Sequence, residues 1–236
     1  MATKATPILK IFIAVLVLHG HFAVAEPAEG GAGPVAAAAA PAAELLARCA
    51  RCHDADGVAS SPTTPHLDGQ LPRYLVESIE LLISGERPAT VENHFPAVLS
   101  RADILGLASH YSELRLRRGA EETDSDRVLE GEMIYMERCM ACHDDSGRDT
   151  DNKGLGSPLL AGQRLGYLRE QMLAYLSKKR PYWGGMKEAA FTGQSLAING
   201  HPVREAIGVL GEAEVEALAN FFASVSLRSA SGRKRR

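Results

Sequence analysis

Outside two short motifs the chain contains no cysteine: all four cysteines of its 236 residues sit in those motifs. Nothing is left over to staple distant loops. Methionine is absent from the long interval between Met1 and Met133, so no residue there can offer a thioether ligand. Beyond the first 25 residues no stretch approaches the 18 apolar residues of a spanning helix. The net charge is only −3, falling to −5 once Lys4 and Lys10 are removed, which gives no global argument for nucleic acid. No paired-carboxylate, Ser-His-Asp or phosphate-loop constellation occurs, and the glycines at 30–33 lie in a low-complexity run.

What is present is Cys49-Ala50-Arg51-Cys52-His53, and again Cys139-Met140-Ala141-Cys142-His143. The spacing C-x-x-C-H reads as covalent attachment of c-type haem. Two cysteines three apart on a helical turn can each take one vinyl thioether, and the next residue meets the iron from the same side. The expected cofactors are therefore two covalently bound haem c groups, held by Cys49, Cys52, Cys139 and Cys142, with His53 and His143 as iron ligands. The competing readings are two short-loop disulfides, or one zinc site made from all four cysteines.

The first 25 residues read as a cleavable signal peptide: Lys4 and Lys10, then the apolar Ile11 to Leu18, then Ala23-Val24-Ala25 before Glu26. An uncleaved N-terminal anchor is the alternative. Export to a periplasm is the expectation, and it agrees with haem attachment outside the cytoplasm. Residues 26–43 form an Ala/Gly/Pro-rich linker, 44–118 a first domain, 119–127 an acidic linker, 128–228 a second domain and 229–236 a basic tail. That tail, ending Arg233-Lys234-Arg235-Arg236, offers weak contact with a membrane surface or acidic partner, although a solvated end is the plainer reading.

The two domains are copies. The segment 157–176 (SPLLAGQRLGYLREQMLAYL) repeats 65–82 (PHLDGQLPRYLVESIELL). Gln70 matches Gln163, Tyr74-Leu75 matches Tyr167-Leu168, and Arg87-Pro88 matches Arg180-Pro181, each 93 residues apart. Helices are predicted over 74–84, over a stretch capped by Ser100 and Asp103 and ending near 118–119, and over a last segment with Val215, Leu218, Phe222 and Val225 on one face. Ile104, Leu107, Tyr111 and Leu114 make the matching face in copy one. Met133, Met136 and Met172 fall on helical segments and read as core packing, and Trp183 reads the same way. Domains this small have thin cores, and a haem supplies apolar volume.

The order CxxCH, P-x-L-x-G-Q, Tyr-Leu, G-x-R and a Leu-Ser-capped last helix, read from copy one, resembles class I cytochrome c. Copy two has Lys178 in place of the glycine and Leu210-Gly211 in place of Leu-Ser. The tandem form resembles dihaem cytochromes of the c4 type, and is similar to the dihaem subunit of flavocytochrome c sulfide dehydrogenase. The resemblance spans about 44–227. It implies an all-α fold of two tandem class I domains, each a few helices wrapped around a covalent haem, and electron transfer as the activity. It also implies that Pro65 and Pro158 orient the proximal imidazoles through their carbonyls. The family's distal methionine would fall in the loop 88–96, which has none; His94 takes its place, with an open or water-ligated iron as the alternative. Copy two offers Met186 and His201, with the echo of Asn93-His94 leaning towards His201. His66 reads as a loop residue and His110 as solvated or packed.

The function expected is that of a periplasmic dihaem carrier passing electrons from a dehydrogenase to a downstream acceptor. Its partners would be redox proteins, among them a flavoprotein subunit. The rival is a haem enzyme, a peroxidase or a sulfur-compound-oxidising cytochrome, which needs one open iron. A haem-based sensor ranks last, with no signalling domain after residue 228.

Overall fold

The computed structural model describes residues 43–89, 99–143, 157–181, 197–198, 201–202 and 209–227; at 141, 142, 197, 198, 201 and 202 it describes the backbone alone. All of them fall within one compact unit. The elements are helices α1 (Ala43–His53), α2 (Pro72–Ile83), α3 (Arg101–Glu113), α4 (Ser125–Arg138), α5 (Met140–His143), α6 (Leu165–Leu176) and α7 (Glu212–Ser224). A two-residue antiparallel ladder, β1 (Ala197–Ile198) with β2 (His201–Pro202), is the exception to helix among the described residues.

The predicted helices form, with shifted ends. α2 starts at Pro72 rather than at Tyr74, because a proline in the first turn has no amide that needs an intrahelical acceptor. At α3 the capping box is complete: the Ser100 hydroxyl accepts from the Asp103 amide at 3.2 Å and Asp103 accepts from the Ser100 amide at 2.9 Å. α3 ends at Glu113, short of the expected 118–119, and Leu114 is already extended. The cause lies downstream. The Asp68 carboxylate accepts the Arg117 amide at 2.8 Å and the Arg118 Nε at 2.9 Å, and a helix could not deliver both. At α7, Glu214 reaches back to the Gly211 amide at 2.7 Å, which is half of a box, since glycine has no hydroxyl to return the bond.

α2 packs on α3 in the first half, and α7 packs on α4 and α6 in the second. The first core is small: Leu75, Leu107, Ala108 and Tyr111, with Leu45, Leu46 and Ile79 against them. The second is larger, with Tyr135, Leu168, Met172, Val215, Leu218, Phe221 and Phe222. Of the face Ile104, Leu107, Tyr111 and Leu114 the first three are buried and Leu114, past the end of α3, is half-buried, while Val215, Leu218, Phe222 and Val225 are all buried as expected. Gly131 lets α4 touch α7, since a Cβ there would lie 2.1 Å from the Ala217 carbonyl oxygen.

Two methionines do not join the core. Met133 is 59% and Met136 49% exposed, whereas Met172 is buried as expected. α4 turns Gly131 and Tyr135 inward, so positions 133 and 136 lie on its outer side, with Leu129. The acidic run after Gly119 is tied down rather than idle: Glu121 pairs with Arg164 at 2.7 Å, its amide donates to the Ala223 carbonyl at 2.9 Å, and Asp124 caps α4.

Candidate haem sites

α1 ends in the first motif, and it places His53 buried at the wall of a cavity. The His53 Nδ1 lies 2.9 Å from the Pro65 carbonyl oxygen. A carbonyl only accepts, so Nδ1 carries the proton and Nε2 keeps its lone pair for a metal. The second copy repeats this: His143, at the end of α5, sets Nδ1 3.1 Å from the Pro158 carbonyl. Cys49 is half-buried beside Tyr111 and Cys52 is exposed at the mouth. Burial pushes the Cys49 thiol up, offset by a hydrogen bond with the Tyr111 hydroxyl. No disulfide joins Cys49, Cys52 and Cys139, and no three metal-ligating side chains converge among the described residues.

The cavity, about 380 Å³, is walled by Leu45, Leu75, Ile79, Leu82 and Leu107 and runs to the junction with the second half at Leu159 and Gln163. That junction is a near two-fold exchange. Gln70 Nε2 donates to the Leu159 carbonyl at 3.0 Å and its Oε1 accepts the Leu159 amide at 2.8 Å. Gln163 Nε2 donates to the His66 carbonyl at 3.0 Å and its Oε1 accepts the His66 amide at 2.7 Å.

The two repeated arginines cross over in the same way. Arg87 donates to the Tyr167 hydroxyl at 2.8 Å, and Arg180 to the Tyr74 hydroxyl at 3.1 Å. Gln171 accepts from Arg87 at 3.0 Å and from Arg180 at 2.8 Å. Arg180 also lies 4.5 Å over the Tyr175 ring. Burial alone would raise the Tyr74 phenol, but Arg180 and then Arg87 draw it down to about 6. Among the described residues neither buried arginine is paired with a carboxylate, and each keeps a buried Nε without a partner.

An apolar slot with a metal-ready imidazole, two thiols and the buried Arg87 guanidinium in its lining fits an apolar macrocycle with acidic edges. The residues present therefore suit haem.

Three relatives frame the chain. Cytochrome c4 of Pseudomonas aeruginosa is 28% identical over 186 residues, 75% of this chain and 87% of that protein. The thiosulfate dehydrogenase electron acceptor of Thiomonas intermedia is 29% identical, over 63% of this chain and 71% of that protein. Cytochrome c-554(548) of Halomonas halodenitrificans is 34% identical over 77 residues, 31% of this chain and 93% of that protein. The family described as Cytochrome c matches residues 128–226. The chain belongs to the cytochrome c family.

It is a class I cytochrome c resembling the dihaem c4 family, and the relatives make it an electron-transfer cytochrome. The fold agrees: reduced cytochrome c4 from Pseudomonas stutzeri superposes with a TM-score of 0.59 at 24% identity, over 79% of this chain and all of that one.

Of the motif residues, the cytochrome brings Cys49, Cys52 and His53 together at the cavity, and sets Cys139 at the C-cap of α4 with Cys142 and His143 on α5. Of the distal candidates, His94 and Met186 lie outside the described residues, as does Trp183. For His201 the backbone alone is described, paired with Ile198. His66 is a loop residue as expected, but a buried one. Burial first, then Arg118 and Arg164, lowers its imidazole to about 3, so the ring is neutral. His110 is half-buried with its ring edge-on to Tyr111. Sequence reasoning missed what the repeated glutamines, tyrosines and arginines do. The repeat made them visible, but each finds its partner in the other copy, which no local pattern encodes.

Proposed function

We propose that this cytochrome is an exported, periplasmic dihaem carrier that accepts electrons one at a time from a partner oxidoreductase and passes them on within one chain. The observation that carries this reading is the pair of histidine–proline contacts, His53 with Pro65 and His143 with Pro158, set on two loops that the glutamines hold against each other. Haem, when bound, supplies a one-electron couple whose potential follows its axial ligands. The residues do the rest. Cys49 with Cys52, and Cys139 with Cys142, anchor the group. His53 and His143, each held in one tautomer by a proline carbonyl, would ligate the iron. Leu75, Ile79, Leu82 and Leu107 exclude water, which keeps reorganisation small. Arg87 and Arg180 offer charge to acidic edges at the junction.

As second iron ligands we assign His94 in the first half, and His201 or Met186 in the second. Two strong protein ligands leave no position for substrate, so the reading is a carrier rather than an enzyme. The likeness to a thiosulfate dehydrogenase electron acceptor supports a small-molecule dehydrogenase as the donor, ahead of a flavoprotein subunit. Carbon monoxide added to the reduced protein, with haem quantified, tests the reading. Two haems per chain and no shift of the Soret band are expected. Stoichiometric binding at either haem would bring the enzyme forward.

A further inference from the structure

Each proximal histidine is linked to the opposite half of the chain through a single peptide group. In the first half, the Pro65 carbonyl faces His53 Nδ1 at 2.9 Å, and the amide of that same peptide, on His66, donates to Gln163 Oε1 at 2.7 Å. In the second, the Pro158 carbonyl faces His143 Nδ1 at 3.1 Å, and the amide on Leu159 donates to Gln70 Oε1 at 2.8 Å. Each glutamine is 3% exposed. Each is held at both ends, because its Nε2 donates to the carbonyl of the residue whose amide its Oε1 accepts. The carboxamide therefore cannot turn over. Each Oε1 also accepts the amide that follows its own residue, Leu71 or Arg164, at 3.0 Å, which further fixes it.

We propose that Gln163 and Gln70 are positioning residues that set the donor strength of the iron-binding imidazole in the other half: Gln163 acts on His53, and Gln70 on His143. This rests on the reading of His53 and His143 as iron ligands. Hydrogen bonds in series polarise one another, the more so in a buried, low-dielectric setting. An acceptor that draws on the His66 amide proton pushes electron density through the peptide onto the Pro65 oxygen. That oxygen then holds the Nδ1 proton of His53 more strongly, and the ring becomes the better donor. Outer partners of a ligating histidine tune a metal in this way. A stronger donor favours the ferric state, so the presence of Gln163 lowers the potential of the haem on His53. The crossing is the distinctive part: the residue that tunes each haem belongs to the other domain.

The test is a potentiometric titration of the full holoprotein carrying Gln163→Leu or Gln70→Leu, with two haems per chain verified first. Haem methyl resonances, assigned through their thioethers, identify which haem moves. Gln163→Leu should raise the ferrous-to-ferric ratio of the His53 haem at fixed potential threefold or more, about 28 mV at 59 mV per tenfold change, and move the His143 haem by less. Gln70→Leu should reverse that pattern. Gln163→Glu, which keeps an oxygen acceptor, should leave the His53 haem at or below its original potential. Should the leucine variants lose haem, Gln163→Asn and Gln70→Asn draw the carboxamide back by one methylene and give the same comparison. Equal shifts of both haems would mean that the glutamines only hold the junction together, and no shift would mean that they tune nothing. Either result overturns the proposal while leaving the carrier reading intact. Fewer than two haems per chain in the unmodified protein would instead sink the carrier reading.

Discussion

Behind its haem site, the first half closes a loop with charge where the second half uses carbon. Asp68 and Arg118 form an ion pair at 2.9 Å with both side chains fully buried, and Arg118 also donates to the Asp68 carbonyl. At the repeat position of Asp68 the second half has Ala161, equally buried and in one core cluster with Tyr135, Phe221 and Phe222, whose ring centroids lie 5.2–5.5 Å from one another. Around this difference the frame is the same. The Gly69 amide donates to the Tyr111 carbonyl at 2.9 Å, and the Gly162 amide to the Phe222 carbonyl at 2.8 Å. The histidine–proline contacts and the glutamine clamps also match. The two halves share the geometry that points an imidazole and differ in how the loop behind it is closed.

The ion pair does more than close its own loop. Arg118 lies against Gly162 of the second half, and its carbonyl accepts the Leu227 amide at 3.1 Å. Making the first half like the second at this point, with Asp68→Ala, should therefore be costly. It leaves a guanidinium buried and uncompensated beneath both halves, a loss of about 4 kcal/mol. Urea unfolding should show this, and Arg118→Leu in the same chain should recover most of it. A loss below about 1 kcal/mol would mean that water reaches the pair and that the two closures are equivalent.

His66 sharpens the comparison more gently, because its repeat partner is Leu159. Burial lowers the His66 imidazole from about 6.5 to about 3. The unfolded chain thus binds more protons between those values, and stability falls as the pH drops from 6.5 towards 3, by at most about 1.4 kcal/mol per unit from this residue. Above pH 6.5 its contribution is complete. His66→Leu should flatten the acid limb of the unfolding curve by up to that slope and leave stability at pH 8 nearly unchanged. An unchanged acid limb would place the ring in contact with water.

The helices, the capping box at Ser100 and the apolar face of α7 were legible in the sequence, because each depends on residues within a few turns of one another. The roles of Pro65 and Pro158 were legible through resemblance. What escaped was decided at long range. α3 stops early because Asp68, far back in the chain, claims the amide of Arg117. Met133 and Met136 look like core by composition, yet Gly131 sets which side of α4 meets α7. The glutamine exchange depends on two copies docking face to face, and a repeat reveals its members without revealing that they trade partners.

We propose that one chain holds two haems in a shared frame, with His94 as the second iron ligand of the first and His201 or Met186 as that of the second. Near-infrared magnetic circular dichroism of the oxidised holoprotein tests it most directly, since ferric bands there separate bis-histidine from histidine–methionine ligation. Two low-spin haems are expected, with the first half bis-histidine and the second reporting its own ligand. A high-spin signal from either haem would contradict it, because an open iron belongs to an enzyme rather than to a carrier.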